Sequence, residues 1–191
     1  RKPLRPSVAI TISSASTSFS QVPLKEAVEK SALVYSGSES FWIHPPVGWI
    51  LDPEAGRRDG PIVVLYRTGT TWQTSEPVMY VNADEAKNSE PITVNNAVNA
   101  DIERWRAAFA DLVVTENQPV KTANGHIATI RKFQTIRGKH HEAVAYIQGT
   151  RRVWLLVLAA RSPADYEAAY PDFLKWIKSY IPGPTVEVQK H

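Results

Sequence analysis

The chain has 191 residues, of which 43% are hydrophobic and 21% are charged, and its formal net charge is +3. This composition is ordinary for one globular domain and excludes an intrinsically disordered chain, while the charge is too small to indicate a nucleic-acid-binding protein. The absence of cysteine excludes disulfides and thiolate metal sites, and no apolar run approaches the ~20 residues that a membrane-spanning helix needs.

The start of the chain predicts a processed protein. The first residue is not methionine, the only methionine is Met79, and residues 7–20 are rich in Ser and Thr. A removed secretory signal would explain this start, and a shortened chain would explain it equally well. We predict an N-terminal extension over residues 1–22, a single domain over residues 23–191, and an extracytoplasmic location, either periplasmic or secreted.

The N-terminal half is predicted to consist mainly of short strands. Alternating and continuous apolar runs, bounded by turn residues, are typical of β-structure. Pro45 and Pro46 should end one of these strands, because proline cannot donate to a β-ladder. The predicted elements are a strand over 8–13, a short helix over 23–30, a hairpin formed by 32–35 and 40–44, and strands over 62–66 and 78–81.

A first amphipathic helix is predicted to begin with Asn99 as its N-cap. Carboxylates in the first turn suit the positive end of the helix dipole. Four apolar residues then recur at helical spacing on one face. These residues are Ile102, Trp105, Phe109 and Leu112.

Three strands are predicted next, over residues 126–136, 140–148 and 153–160. Their connecting turns are short, so neighbouring strands must pair antiparallel. The last strand is apolar on both faces, which predicts a central position covered on both sides.

The C-terminal region is predicted to be helical, with Ser162 as N-cap and Pro163 at the first position. Pro171 lies inside it, and an interior proline costs about 3 kcal/mol. We therefore predict two helical pieces, broken near Tyr170.

The segment from Phe41 to Trp49 reads Phe-Trp-Ile-His-Pro-Pro-Val-Gly-Trp and is similar to the early strand, proline and Gly-Trp of the PsbP-like family. That family comprises the extrinsic photosystem II proteins and their bacterial relatives. The C-terminal stretch resembles it too, over residues 143–148 and 153–161 and at Tyr166, Pro171, Phe173, Trp176, Ile177, Ser179 and Tyr180. The resemblance implies an α+β fold, specifically an α-β-α sandwich around a central antiparallel sheet. It also implies an exported protein with no catalytic motif to carry over.

No local catalytic signature is present in the sequence. It contains no Gly-x-Ser-x-Gly elbow, phosphate-binding glycine loop or His-Glu-x-x-His motif, and these chemistries need such local patterns. We therefore predict a protein that is not an enzyme and uses no cofactor.

His140 and Glu142 form a candidate metal site. Neighbouring residues of a strand point to opposite faces, so His141 cannot join His140 on one ion, whereas Glu142 can. The alternative is that these polar residues only begin the strand and bind no metal ion.

A basic hairpin is the candidate partner-binding surface. Residues 126–152 contain six basic residues and only one acidic residue, Glu142. The basic side chains could contact an acidic protein or another anionic surface. The alternative is that they protect sheet edges from aggregation. The basic residues are Arg131, Lys132, Arg137, Lys139, Arg151 and Arg152.

Trp72 is a candidate ligand-binding residue, because it lies among small polar residues on a predicted loop. The alternative is a ring folded back to anchor that loop.

Three functions follow from these residues. The first is an accessory domain that docks to a protein partner or an anionic surface, with no specific nucleic acid expected. The second is a carrier of a small ligand or metal ion near Trp72 or His140 and Glu142. The third is a hydrolase with dispersed residues, which a deep pocket containing a carboxylate or histidine of shifted pKa would favour.

Overall fold

The computed structural model describes residues 31–85, 90–137 and 140–184. The predicted extension over 1–22, the strand over 8–13, the helix over 23–30 and Lys139 lie outside the described residues.

The described residues form a mixed α+β fold with two α-helices and two antiparallel sheets of three and seven strands. None of the helices in these ranges is both long and apolar enough to span a membrane. The elements are β1 Ala32–Ser36, β2 Glu39–Ile43, β3 Trp49–Asp52, a 3-10 turn Arg57–Asp59, β4 Val63–Arg67, β5 Val78–Glu85, α1 Val94–Ala108, β6 Leu112–Lys121, β7 Ile127–Thr135, β8 His141–Gln148, β9 Arg152–Ala160, α2 Pro163–Lys178 and β10 Ile181–Pro182.

The predicted first hairpin is confirmed as β1 and β2, which pair antiparallel with Val34 opposite Phe41. Gly37 in its turn has φ +58, a left-handed conformation that favours glycine. The short β10 pairs with the other edge of β2 and completes the three-stranded sheet.

The larger sheet has the order β3-β4-β5-β9-β8-β7-β6, so β9 occupies the predicted central position. Alternate residues of its central strands pack into two different clusters. Leu156 and Leu158 pack with α2 in one cluster, and Leu155 and Val157 pack with α1 in the other. The two helices therefore cover opposite faces of the central strands.

Helix α1 begins six residues earlier than predicted, since its N-cap is residue 93 and not residue 99. Its N-cap is Thr93, whose hydroxyl accepts a hydrogen bond from the Asn96 N–H at 3.2 Å. The prediction of Asn99 as N-cap is wrong, because the buried Ala97 and Val98 already belong to the helical face. The prediction that Leu112 belongs to the apolar face of this helix is also wrong, since Leu112 begins β6.

Helix α2 is continuous, so the predicted break near Tyr170 is wrong. Ser162 is the predicted N-cap, and its hydroxyl accepts the Asp165 N–H at 3.1 Å. The ring of Pro171 lies on the exposed side of the helix. Ala169 and Phe173, both fully buried, hold the two halves of the helix against the same core. Packing therefore outweighs the local cost of proline.

Strand β6 has no counterpart in the sequence prediction and forms one edge of the seven-stranded sheet. Its pairing with β7 shifts register between Asn117 and Val120, next to Pro119. Proline and bulges are typical of sheet edges, where no further strand needs the N–H groups.

Candidate functional site

A cavity of about 840 Å³ opens between α1 and the sheet face that α1 covers. Its floor is apolar and comes from β8 and β9, with Val144, Leu155 and Val157 as members. The volume lies in the range of cavities that hold small ligands, about 300–1,000 Å³.

The cavity brings together residues that the sequence placed in separate motifs. Trp72, His140 and Glu142 all line it, although Trp72 and Glu142 are 70 positions apart. The Trp72 loop, the start of β8 and helix α1 therefore meet around one space.

Trp72 forms part of the cavity wall and holds its own loop in place. The side chain is 3% exposed, and its indole N–H donates to the Asp59 carboxylate at 2.7 Å. The ring also meets Tyr80 edge-on, with 6.2 Å between ring centroids. The ring anchors the loop and can touch a ligand from the same position.

Replacing Trp72 with Phe should lower the free energy of unfolding by about 1–2 kcal/mol. The indole hydrogen bond to Asp59 is lost, and the smaller ring leaves the loop less well packed. Urea denaturation measures this change. A matched Thr70→Ala variant removes a hydroxyl that donates to the Arg67 carbonyl at 2.6 Å in the same loop. An effect of Trp72→Phe smaller than that of Thr70→Ala would contradict the anchoring role.

Glu142 is the acidic group that faces the apolar part of the cavity. The Tyr80 hydroxyl donates to its carboxylate at 3.4 Å. Burial, and to a smaller extent the negative charge of Asp101, raise the pKa of Glu142 to about 8, although the Tyr80 hydrogen bond and Arg104 act in the opposite direction. Glu142 is therefore largely protonated at neutral pH.

Asp101 enters the cavity from α1 and was not singled out as a site residue by the sequence. It is 4% exposed and accepts a hydrogen bond from the Tyr146 hydroxyl at 2.7 Å. Arg104, one turn further along the helix, forms an ion pair with it at 2.9 Å. Burial raises its pKa above the ordinary value, while the Tyr146 hydrogen bond and Arg104 lower it. A sequence signal existed, since Asp101 lies on the apolar stripe of the helix.

Half-buried aromatic rings form the wall opposite the sheet. Trp105 stacks on Phe133 with 5.5 Å between centroids, and this contact fixes the indole against the core. Phe109 lies 4.8 Å from the ring of His140 at the end of the wall. Both Trp105 and Phe109 keep part of their surface open to the cavity.

Both residues of the candidate metal site, His140 and Glu142, line the cavity. Within residues 31–85, 90–137 and 140–184, no three His, Asp or Glu side chains are grouped so that they could hold a metal ion. His141 points away from this pair, as the alternation of the strand predicts, and its ring nitrogen lies 3.1 Å from the Gln134 amide.

The five described basic residues of the predicted docking surface lie in different surroundings. Arg131 pairs with Glu116 at 2.7 Å, and Lys132 pairs with Glu167 at 3.1 Å. Arg152 is buried and pairs with Glu85 at 3.0 Å. Of the described residues in this set, Arg137 and Arg151 are exposed, and they lie at opposite ends of the β7–β8 pair.

No protein-family model matches the chain, and no curated protein sequence is similar to it. Solved structures do match. One is the solution structure of cyanobacterial PsbP (CyanoP) from Synechocystis sp. PCC 6803, with 14% identity and a TM-score of 0.48, over 75% of this chain and 86% of that one. Another is the protein of unknown function PA94 from Pseudomonas aeruginosa, with 15% identity and a TM-score of 0.44, over 81% and 99% of the two chains. The first belongs to the family that the segment from Phe41 to Trp49 resembles.

Proposed function

We propose that this domain binds a small organic ligand in the cavity between α1 and the seven-stranded sheet, as a carrier or sensor. The raised pKa of Glu142 in the same cavity supports a hydrolase as the second candidate. The observation that carries the proposal is the lining of the cavity. Apolar and aromatic walls surround a few polar groups that converge from different elements, which is the common composition of ligand sites.

Two polar groups give the cavity a way to orient a ligand. Glu142 can donate a hydrogen bond when protonated or accept one when ionised. The guanidinium of Arg104 is half exposed and reaches the same space from α1. A ligand with a polar end and an apolar body therefore has a preferred direction in the cavity.

The arrangement of charges supports a docking function less than the cavity supports ligand binding. Arg131, Lys132 and Arg152 are each paired with a carboxylate of this chain, so a partner would have to replace contacts already made. A docking role for Arg137 and Arg151 stays a prediction. The packing of α1 and α2 on opposite faces of the central strands supports an α-β-α sandwich. An extracytoplasmic location stays a prediction from the sequence resemblance.

Ala108→Trp should weaken ligand binding at least tenfold without unfolding the domain. Ala108 is exposed on α1 and lines the cavity, so an indole there would fill the space. The probe is Nile red, an uncharged dye whose fluorescence rises in apolar surroundings. We expect saturable one-to-one binding to the wild type and at least a tenfold weaker affinity for Ala108→Trp.

Ala107→Trp is the matched control, because Ala107 is equally exposed on α1 but does not line the cavity. It should bind Nile red like the wild type. Equal binding by both variants, or a signal that does not saturate, would contradict a ligand site in this cavity. Circular dichroism of both variants confirms that each is folded.

A further inference from the structure

Resting on the proposed function, we infer that the ligand is an organic cation, a compound with a protonated or quaternary amine and an apolar or aromatic body. Its ammonium group lies beside Glu142, and its body lies between the aromatic wall and the sheet. The inference is carried by the charges and rings that line the cavity.

The cavity has an excess of acidic groups. Its lining contains four carboxyl groups and only two guanidinium groups. Both guanidinium groups are already paired, Arg104 with Asp101 at 2.9 Å and Arg161 with Glu76 at 3.4 Å. A third carboxylate, that of Asp59, accepts the indole N–H of Trp72.

Of the four lining carboxyl groups, Asp59 and Glu142 form no ion pair with a described residue, and Asp59 already accepts the Trp72 indole N–H, so Glu142 is the one open to a ligand cation. Among the described residues, no basic side chain forms an ion pair with it. Its hydrogen bond from Tyr80 is long, at 3.4 Å. Glu142 is partly buried, and a carboxylate that loses part of its hydration in apolar surroundings is costly unless an opposite charge lies next to it. A ligand cation would supply that charge.

The aromatic wall suits the same ligand. The faces of aromatic rings carry negative electrostatic potential and attract alkylammonium groups within about 6 Å of the ring centroid. Tyr80, Trp105 and Phe109 all line the cavity together with Glu142. An anionic ligand would meet the excess of carboxyl groups, and that contact is unfavourable.

Cation binding should release a proton from Glu142. The charged or titratable groups that face Glu142 come from several elements, namely Asp101 and Arg104 of α1, Tyr80 of β5, Tyr146 of β8 and His140 before β8. Burial keeps Glu142 protonated at neutral pH, with a pKa of about 8, and a neighbouring ammonium group favours the carboxylate. Affinity for a cation should then rise as the pH approaches 8, up to about tenfold per pH unit below that value.

The test uses three probes that share one aromatic body and differ in charge. These are 2-(1-naphthyl)ethylamine, which stays protonated over the pH range, the uncharged 2-(1-naphthyl)ethanol, and 1-naphthylacetate. Isothermal titration calorimetry at pH 6, 7 and 8, in buffers of different ionisation enthalpy, measures both affinity and proton release. We expect the amine to bind at least tenfold more tightly than the alcohol at pH 8, and to release close to one proton at pH 7.

Glu142→Gln keeps the size and hydrogen bonding of the side chain and removes its charge. This variant should lose the preference for the amine and the proton release, while it binds the alcohol like the wild type. Equal affinities for the three probes, or proton release that survives in Glu142→Gln, would overturn the assignment of the cation. If the alcohol or the acid binds best and Ala108→Trp blocks it, the cavity is a ligand site but not for cations. If no probe and no Nile red binds, the proposed function itself fails.

Discussion

Glu142→Gln is expected to raise the free energy of unfolding by roughly 2–4 kcal/mol at pH 9 and to change it little at pH 4. The pKa of Glu142 is raised to about 8 in the folded protein from an ordinary value of 4.5, and burial is the main cause. Between these two values the folded state holds a proton that the unfolded chain has released. Wild-type stability therefore falls as pH rises through this window, and the loss is complete above pH 8.

Urea denaturation at pH 4, 6, 7.5 and 9 measures this difference between wild type and variant. Asp101 also has a raised pKa and contributes to the pH dependence of both proteins, so its direct contribution largely cancels in the difference. Glu103→Gln on the exposed side of α1 is the matched control and should show no such trend. A difference between wild type and Glu142→Gln that is constant with pH would show that Glu142 has an ordinary pKa.

Arg152→Met is expected to lower the free energy of unfolding by about 3–5 kcal/mol. The guanidinium is buried, with the residue 5% exposed, and its Nε lies 3.7 Å from the Glu39 carboxylate. That carboxylate also accepts the N–H groups of Thr150 at 2.9 Å and Arg151 at 2.6 Å. Removing the cation would leave Glu39 charged and buried at the contact between the two sheets.

Thermal and urea denaturation of Arg152→Met should be compared with Arg151→Met, an exposed neighbour expected to change stability by no more than about 0.5 kcal/mol. The double variant Glu39→Gln with Arg152→Met should recover part of the loss, because no unpaired charge is then buried. Equal effects of the two single arginine variants would contradict a structural role for Arg152. In that case Arg152 would again be a candidate for contact with a docking partner.

The central strands and the first hairpin could be predicted because their signals are local. Continuous apolar residues over 153–160 indicate a strand buried on both faces, and the structure places β9 at the centre of the sheet. Strand β6 could not be predicted in this way. It is an edge strand with mostly exposed residues, so neither of its faces carries a continuous apolar pattern.

The helix ends show where local rules compete with packing. Thr93 and Asn99 are both acceptable N-cap residues, and the burial of Ala97 and Val98 decides between them. Pro171 removes one backbone hydrogen bond from α2, which is a local cost. The buried residues before and after it pack against the same core, and this tertiary contact outweighs the cost. Such contacts depend on residues far away in the chain.

The candidate site was predicted in pieces but not as a whole. Strand alternation predicts His140 and Glu142 on one face, loop composition singles out Trp72, and all three residues line the cavity. Their meeting around one cavity depends on pairing β5 with β9 and β9 with β8. Asp101 completes the site from α1, and its burial follows only from the way that helix packs on the sheet.

The two helices hold the sheet with unequal strength, which bears on how readily each of them opens. Five residues of α2 are buried, all but one of them large, whereas the buried residues of α1 are Ala97, Val98 and Asp101. Local opening of a protein follows the elements that bury the least apolar surface. The backbone amides of α1 are therefore expected to exchange with solvent deuterium faster than those of α2. Because α1 also forms the wall of the cavity, the proposed ligand should slow the exchange of α1 more than that of α2.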